Sequence, residues 1–321
     1  MSQKPIVSIT RRPPGTADVA GAAVRCLGEE KPARGALLEF IRGSAVVVTM
    51  YSDRVDEEFL AAAGPQLRGV CNFAVGFENI DLTACARRSV VVTNTPNAVT
   101  EGTADLAWAL VLAAARRLIE ADRYARSPEY PGHGSLGMSD FLGLDLTGRT
   151  LHIVGAGRIG LAVAMRSRGW GMRVIYTARS RHWDFELAPL AAERVELMEG
   201  LRRADVISVH CPLTPQTRRL IGREALSVVK PTAILVNTAR GPIVDEQALV
   251  DALREGRMFA AGLDVFEQEP VIHPDLITNP RVVLTPHIGS AAARYRSLMT
   301  EMVCENAAAI LAGREPPNRI A

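Results

Sequence analysis

Lysine is almost missing from this chain of 321 residues. Only Lys4, Lys31 and Lys230 occur, and arginine carries the rest of the positive charge. Basic and acidic side chains nearly cancel, 37 against 35, for a formal net charge of +2. That balance excludes the electrostatic footprint of a nucleic-acid or polyanion partner. Paired cysteines are missing too. Cys26, Cys71, Cys85, Cys211 and Cys304 are scattered, odd in number and without Cys-x-x-Cys spacing. This excludes a disulfide framework and a thiolate metal site, and predicts reduced, mostly buried thiols in a cytoplasmic protein. The longest apolar stretch, residues 106–115, is too short to span a bilayer. No charged-then-apolar leader opens the chain, so neither a membrane nor a metal is expected.

What is present is alternation. Short apolar or β-branched runs at 6–9, 24–27, 45–49, 67–71 and 90–93 are separated by helical patterns such as 56–63 and 82–88. Such alternation predicts a parallel, doubly wound sheet. Asn94-Thr95-Pro96-Asn97 interrupts it. Residues 100–126 then read as one long Ala- and Leu-rich helix, with Thr100 as N-cap and Glu101 and Asp105 near its positive end. A Gly- and Pro-rich arm follows at 127–144.

The chain is organised around Leu151-His152-Ile153-Val154-Gly155-Ala156-Gly157-Arg158-Ile159-Gly160. An apolar strand empties through Gly-x-Gly-x-x-Gly into a helical pattern (158–169), and a second strand follows at 173–176. Gly155 permits the tight turn, Gly157 removes a Cβ that would block phosphates, and Gly160 lets helix and strand pack closely. The helix N-terminus then faces the pyrophosphate of a dinucleotide. Further strands at 206–209, 234–237, 260–264 and 282–284 fill a six-stranded Rossmann sheet, and a helical pattern at 291–311 returns the chain. The length allows two domains. The expected α/β architecture is therefore two doubly wound parallel sheets. A Rossmann dinucleotide-binding domain (100–288) is inserted into a flavodoxin-like substrate-binding domain (1–99 and 289–321).

The strand ends carry the chemistry, because ligands in open α/β sheets sit at the carboxyl ends of strands. The second Rossmann strand ends Tyr176-Thr177-Ala178-Arg179-Ser180, with no acid to accept ribose hydroxyls. Arg179 beside Ser180 suits a 2′-phosphate, which predicts NADPH over NADH. Arg240 follows another strand, where a planar guanidinium can grip a carboxylate and polarise an adjacent carbonyl. His287 ends the last strand with carboxylates nearby, a general acid–base arrangement. His210 also ends a strand and rivals it. His133, His152, His182 and His273 have weaker settings.

Five segments together resemble the D-isomer-specific 2-hydroxyacid dehydrogenases. They are Val154 to Gly160, His210-Cys211-Pro212-Leu213-Thr214-Pro215, Val236 to Glu246, Ala261 to Pro270 and Thr285 to Ser290. Two N-terminal stretches, 49–54 and 72–81, look most like glyoxylate/hydroxypyruvate reductases. The resemblance implies reduction of small 2-oxo acids, with Arg240, Glu269 and His287 as catalytic residues and Glu267 only a neighbour of Glu269. It further implies that Arg158, Ile159, Cys211, Pro212, Thr217, Thr238 and Asp264 line the cofactor, with His210 in a cofactor-lining segment. Val75, Gly76 and Asn72 would serve the substrate, alongside Arg240 and His287. A homodimer is implied through the cofactor domain and the 127–144 arm. That arm lacks the tryptophans usual in relatives and carries only Tyr130, Met138 and Phe141. Glutamate at 269 argues against a formate dehydrogenase. Phosphite oxidation, or a cofactor-sensing regulator that keeps the triad, stand as alternatives.

Overall fold

The computed structural model describes residues 4–321, which divide into two compact units. One comprises the chain up to Val99 together with Ser290–Ala321, the other Thr100–Gly289.

In unit one, β1 (Ile6–Ile9), β2 (Ala23–Cys26), β3 (Val46–Met50), β4 (Gly69–Phe73) and β5 (Val91–Thr93) form one parallel sheet in the order β2-β1-β3-β4-β5. Every residue of β3 is buried, which follows from a parallel strand covered on both faces. Val46, Val48 and Met50 belong to one apolar cluster with Met299, Val303 and Ala307 of the C-terminal helix. Val47 joins the opposite cluster with Phe59, Leu60 and Ala84. The intervening helices are α1 (Arg34–Phe40), α2 (Glu57–Ala63) and α3 (Leu82–Arg87). Asp56 and Asp81 cap the last two, accepting from Phe59 N and Ala84 N at 3.0 and 2.9 Å.

Unit two opens with α4 (Thr100–Ala115), α5 (Leu118–Ala125) and α6 (Glu129–His133). The expected single helix over 100–126 is thus broken. Arg117 takes a left-handed φ of 52°, and Ala115 O accepts from Leu144 N at 2.8 Å instead of continuing the helical ladder. Thr100 is the first helical residue rather than a cap, and a short helix lies within the 127–144 arm.

The remaining order is β6 (Thr150–Val154), α7 (Arg158–Arg166), β7 (Arg173–Thr177), α8 (Trp183–Glu186), β8 (Glu193–Arg194), α9 (Leu197–Arg203), β9 (Val206–Val209), α10 (Arg223–Ser227), β10 (Ile234–Asn237), α11 (Glu246–Arg254), β11 (Ala260–Leu263), α12 (Pro274–Thr278) and β12 (Val282–Leu284). α13 (Ala293–Leu311) belongs to unit one. The strands form a parallel sheet of seven, not six, in the order β12-β11-β10-β9-β6-β7-β8. The unforeseen β8 is two exposed, charged residues paired with β7. The helix after the fingerprint also stops at Arg166 and tightens into a 3₁₀ turn, Ser167–Trp170. Leu151 and Ile153 face one apolar cluster while Val154 faces the other, so this sheet too is covered on both sides. Among the described residues no helix is long and apolar enough to cross a membrane. Four of the five thiols are buried, and Cys26 is exposed.

Candidate active site

The strand order of unit two reverses at β6, which pairs with β7 on one side and β9 on the other. The turn leaving β6 is built by glycine. Gly155 has φ +104°, and a Cβ there would stand 2.4 Å from Cys211 N. At Gly160 a Cβ would stand 2.4 Å from Gly155 O. These two glycines therefore serve protein–protein closeness. Gly157 differs: nothing in the protein lies within 4 Å of its added Cβ. It is the N-cap of α7, and no side chain caps that helix. The uncapped start of α7 beside the open space at Gly157 fits a dinucleotide pyrophosphate.

The carboxyl end of β7 carries Arg179 and Ser180, both exposed. Arg194 Nη2 donates to Ala178 O and Arg179 O at 2.9 and 3.2 Å, adding a second guanidinium at this edge. Beyond β9, Cys211 is buried against the glycine turn and Pro212 is exposed. Thr217 is turned inward: its hydroxyl donates to Pro212 O at 2.6 Å and accepts from Thr214 N at 2.7 Å. These bonds lock its own turn. Thr238 behaves oppositely, since its Oγ1 is buried with no partner among the described residues. An orphan hydroxyl at a strand end is what a bound polar group would satisfy.

Two histidines lose their catalytic claim. His210 bonds Ser208 Oγ at 2.8 Å, and burial pushes its pKa down to about 3. His152 bonds Thr177 Oγ1 at 2.8 Å inside the sheet and is likewise pushed down to about 3, by burial and then by the charge of Arg203. Both are neutral near pH 7 and have no proton to give.

His287 stands differently. Its Nδ1 lies 2.8 Å from Glu269 Oε2. Burial raises the Glu269 carboxyl, but the hydrogen bond from His287, the charge on that ring, the Phe266 N–H and the charge of Arg240 together hold it below the usual carboxylate range. Glu269 Oε1 accepts from Phe266 N at 3.1 Å, which fixes the second oxygen. Glu267 points elsewhere, toward Arg219 Nε at 3.3 Å, so it is Glu269 that partners the histidine.

Asp264 shapes the loop under His287. Its backbone oxygen accepts from His287 N at 2.8 Å. Its carboxylate accepts from Thr285 Oγ1 at 2.7 Å and from Ile288 N and Gly289 N, both at 2.8 Å. Four bonds from one residue hold a loop whose histidine has φ 55°. Asp264 Oδ2 accepts a single bond, from Gly289 N, so the carboxylate that positions this loop keeps acceptor capacity.

Arg240 is brought to the same edge by Gly241, whose Cβ would stand 1.9 Å from Phe266 C. Only glycine lets the Arg240 loop lie on the Phe266-to-Glu269 turn. Asn237 braces that loop, donating to Arg240 O and accepting from Ala239 N, both at 3.0 Å. Two supporting residues escape sequence reasoning. Glu246, 7% exposed, accepts from Glu267 N at 2.8 Å, and Thr285 donates to Asp264. Both lie inside recognisable segments, but spacing does not reveal bonds between separate loops.

In unit one the loop after β4 carries Val75 and Gly76. Asn94 Nδ2 donates to Val75 O at 2.7 Å and Asn72 Nδ2 to Gly76 O at 2.8 Å. In a trans peptide the N–H opposes the C=O, so the N–H groups of Gly76 and Phe77 point away from these braces. Asn72 is fully buried and also accepts from Thr49 Oγ1 at 3.1 Å. It holds the loop from behind.

A family model for the D-isomer-specific 2-hydroxyacid dehydrogenase NAD-binding domain matches residues 108–289. The chain belongs to this family. It is an NAD(P)-dependent dehydrogenase of 2-hydroxy acids, and its fold is the family's pair of parallel α/β sheets. A glyoxylate reductase of Thermococcus onnurineus is 48% identical over 293 residues, spanning 91% of this chain and 87% of that one. A glyoxylate reductase from Paecilomyes thermophila shares the fold with a TM-score of 0.84 at 30% identity, over 100% of this chain and 99% of that one. An NADPH-dependent glyoxylate/hydroxypyruvate reductase from Sinorhizobium meliloti, solved with NADP and malonate, gives 0.84 at 31% identity, over 99% and 97%.

Proposed function

We propose that this dehydrogenase reduces small 2-oxo acids, glyoxylate and hydroxypyruvate, to the corresponding 2-hydroxy acids with NADPH. The observation that carries the reading is the His287–Glu269 pair beside Arg240. The naming of the similar proteins as glyoxylate reductases supports the substrate class. When bound, the nicotinamide supplies the hydride to the carbonyl carbon. The residues supply the rest. Nδ1 of His287 is engaged with Glu269, so Nε2 is the atom that carries the proton to the carbonyl oxygen. Arg240 holds the carboxylate and stabilises charge developing on that oxygen. Gly76 N–H, with Val75, is proposed to bind the substrate carboxylate as well, Asn72 serving as the brace.

For the cofactor, we propose that Gly155, Gly157, Arg158, Ile159 and Gly160 form the pyrophosphate turn, that Cys211, Pro212 and Thr217 line its flank, and that Thr238 and Asp264 lie toward the nicotinamide end. The preference for NADPH rests on Arg179 and Ser180 at an acid-free strand end. We place the enzyme in the cytoplasm as a homodimer. Supporting the latter, Leu118, Tyr130, Leu136, Met138 and Leu142 are all exposed on one continuous stretch of unit two.

The test is reduced-cofactor consumption with glyoxylate, hydroxypyruvate, pyruvate and phenylpyruvate, each run with NADPH and with NADH, for wild type and Arg179→Ala. Turnover of the two smallest acids with NADPH, lost preferentially for NADPH in the variant, is the expected result. A wild-type preference for NADH overturns the cofactor assignment. Turnover of none of the acids overturns the function and directs attention to phosphite oxidation, then to cofactor sensing.

A further inference from the structure

The loop that leaves β7 is anchored at both ends, and the residues between the anchors are left unengaged. The near anchor is Arg194 of the edge strand β8, which pairs with Tyr176 in the sheet. Its guanidinium is spent on backbone. Nε donates to Ala178 O at 3.1 Å, and Nη2 donates to Ala178 O at 2.9 Å and to Arg179 O at 3.2 Å. Its neighbour Glu193 pairs instead with Arg203. The far anchor is Glu186, which accepts from Arg181 Nε and, at 2.6 Å, from the Tyr176 hydroxyl. That hydroxyl itself accepts from His182 N at 3.0 Å. The Arg181 guanidinium also lies over the Trp183 ring, 4.4 Å from its centroid. Arg181 is thereby both paired and stacked.

Between the anchors, Arg179 and Ser180 are exposed, and their side chains have no hydrogen bond or ion pair among the described residues. The backbone N–H groups of the same two residues have no partner there either. Neither peptide bond is cis. In a trans peptide the N–H opposes the C=O, so two carbonyls tied to one guanidinium turn their N–H groups to the other side. The N–H groups of Arg179 and Ser180 therefore face away from Arg194 together. Two successive N–H groups, joined by a hydroxyl and an unpaired guanidinium, are a donor set for a phosphate.

We propose that Arg194 is a positioning residue for the 2′-phosphate of NADPH. It acts through the loop, setting the two peptide planes so that Arg179 and Ser180 present their donors to the phosphate. The inference rests on the NADPH reading above. It adds to that reading a residue of a separate, two-residue strand, which the pattern around the second Rossmann strand does not single out.

The test compares adenosine 2′,5′-bisphosphate with AMP, which lacks only the 2′-phosphate. Both are titrated calorimetrically into the full-length enzyme, for wild type, Arg194→Ala, Arg194→Lys, Arg179→Ala and the double variant Arg179→Ala/Arg194→Ala. Arg194 is exposed on an edge strand, and thermal melts establish that each variant is folded. Wild type should bind the bisphosphate at least about tenfold more tightly than AMP. Arg194→Ala should weaken the bisphosphate about tenfold and leave AMP within about twofold. Arg194→Lys should recover only part of the loss, because it keeps charge but not the planar fork that spans two carbonyls. The double variant should lose less than the product of the single losses, since one residue acts through the loop of the other.

The positioning role is overturned if Arg194→Ala binds the bisphosphate like wild type, or weakens both ligands equally. It is also overturned if Arg194→Lys matches wild type or if the losses multiply. In each of these cases a wild-type preference for the bisphosphate leaves the NADPH reading standing. A wild type without that preference overturns the NADPH reading and the positioning role with it.

Discussion

The His287 imidazole and the Glu269 carboxylate meet at 2.8 Å across two loops, each braced by a second carboxylate. Asp264 fixes the loop of the histidine, and Glu246 fixes the turn of the glutamate through Glu267 N. The charge at Glu269 therefore acts on a ring that is already oriented. Glu269→Gln keeps the shape and removes the charge. For 2-oxo acid reduction we expect kcat to fall about 10- to 100-fold. His287→Ala should cost about 10²–10⁴ in kcat while the cofactor Kd, read by fluorescence titration, stays the same. Near-normal turnover in that variant would remove His287 from the mechanism.

Arg240→Ala should raise KM for the 2-oxo acid about 10- to 100-fold, the worth of a charge-assisted hydrogen-bonded pair. Steady-state kinetics with glyoxylate decide it. An effect confined to kcat would mean that the guanidinium does not hold the carboxylate.

Alanine at the glycines of the fingerprint should separate folding from binding. Gly157→Ala meets no protein atom within 4 Å, so its melting temperature should match wild type while NADPH affinity collapses. Gly160→Ala places a Cβ 2.4 Å from Gly155 O and 2.9 Å from Ile153 Cγ2, so it should melt at lower temperature. The paired readouts are thermal melts and cofactor titration. Equal effects on both quantities at both positions would contradict the division of labour.

Acid should unfold this protein through histidines that catalysis does not use. His152 is pushed from 6.5 down to about 3, so between those values the unfolded chain binds a proton that the native one does not. Stability from this group is complete above pH 6.5 and is lost as pH falls toward 3. At pH 5 the loss is about 2 kcal/mol for His152 alone. His210 acts in the same direction. Urea unfolding at pH 7 and pH 5 checks it, and His152→Asn should shrink the difference between the two. Equal wild-type stability at both values would refute the assignment.

Much of this was legible in the residues. β9, β10 and β12 begin and end where their apolar runs do, because a strand buried on both faces writes its limits directly in hydrophobicity. The fingerprint glycines, Arg240 and His287 are readable as strand-end residues, whereas Glu269 is singled out only by the resemblance to the family. What escaped depends on distant chain. Arg117 ends α4 because Leu144 takes the Ala115 carbonyl, and no local propensity at 115–118 announces that bond. β8 is an exposed Glu-Arg pair with no periodicity to detect. The bonds that Asp264, Thr217 and Asn72 make to neighbouring loops also leave no trace in spacing, and only the folded geometry reveals them.

The bond from Leu144 N to Ala115 O has a wider meaning for how this chain can change. It closes the excursion that carries α5 and α6, so the chain leaves α4 and comes back to the same carbonyl before it enters the β6 sheet. A segment whose two ends are clasped together is a cassette. It can be lengthened, trimmed or rewritten in sequence while the sheet behind it keeps its register. Changes of length within the clasp are therefore absorbed between its two ends, before the chain enters β6.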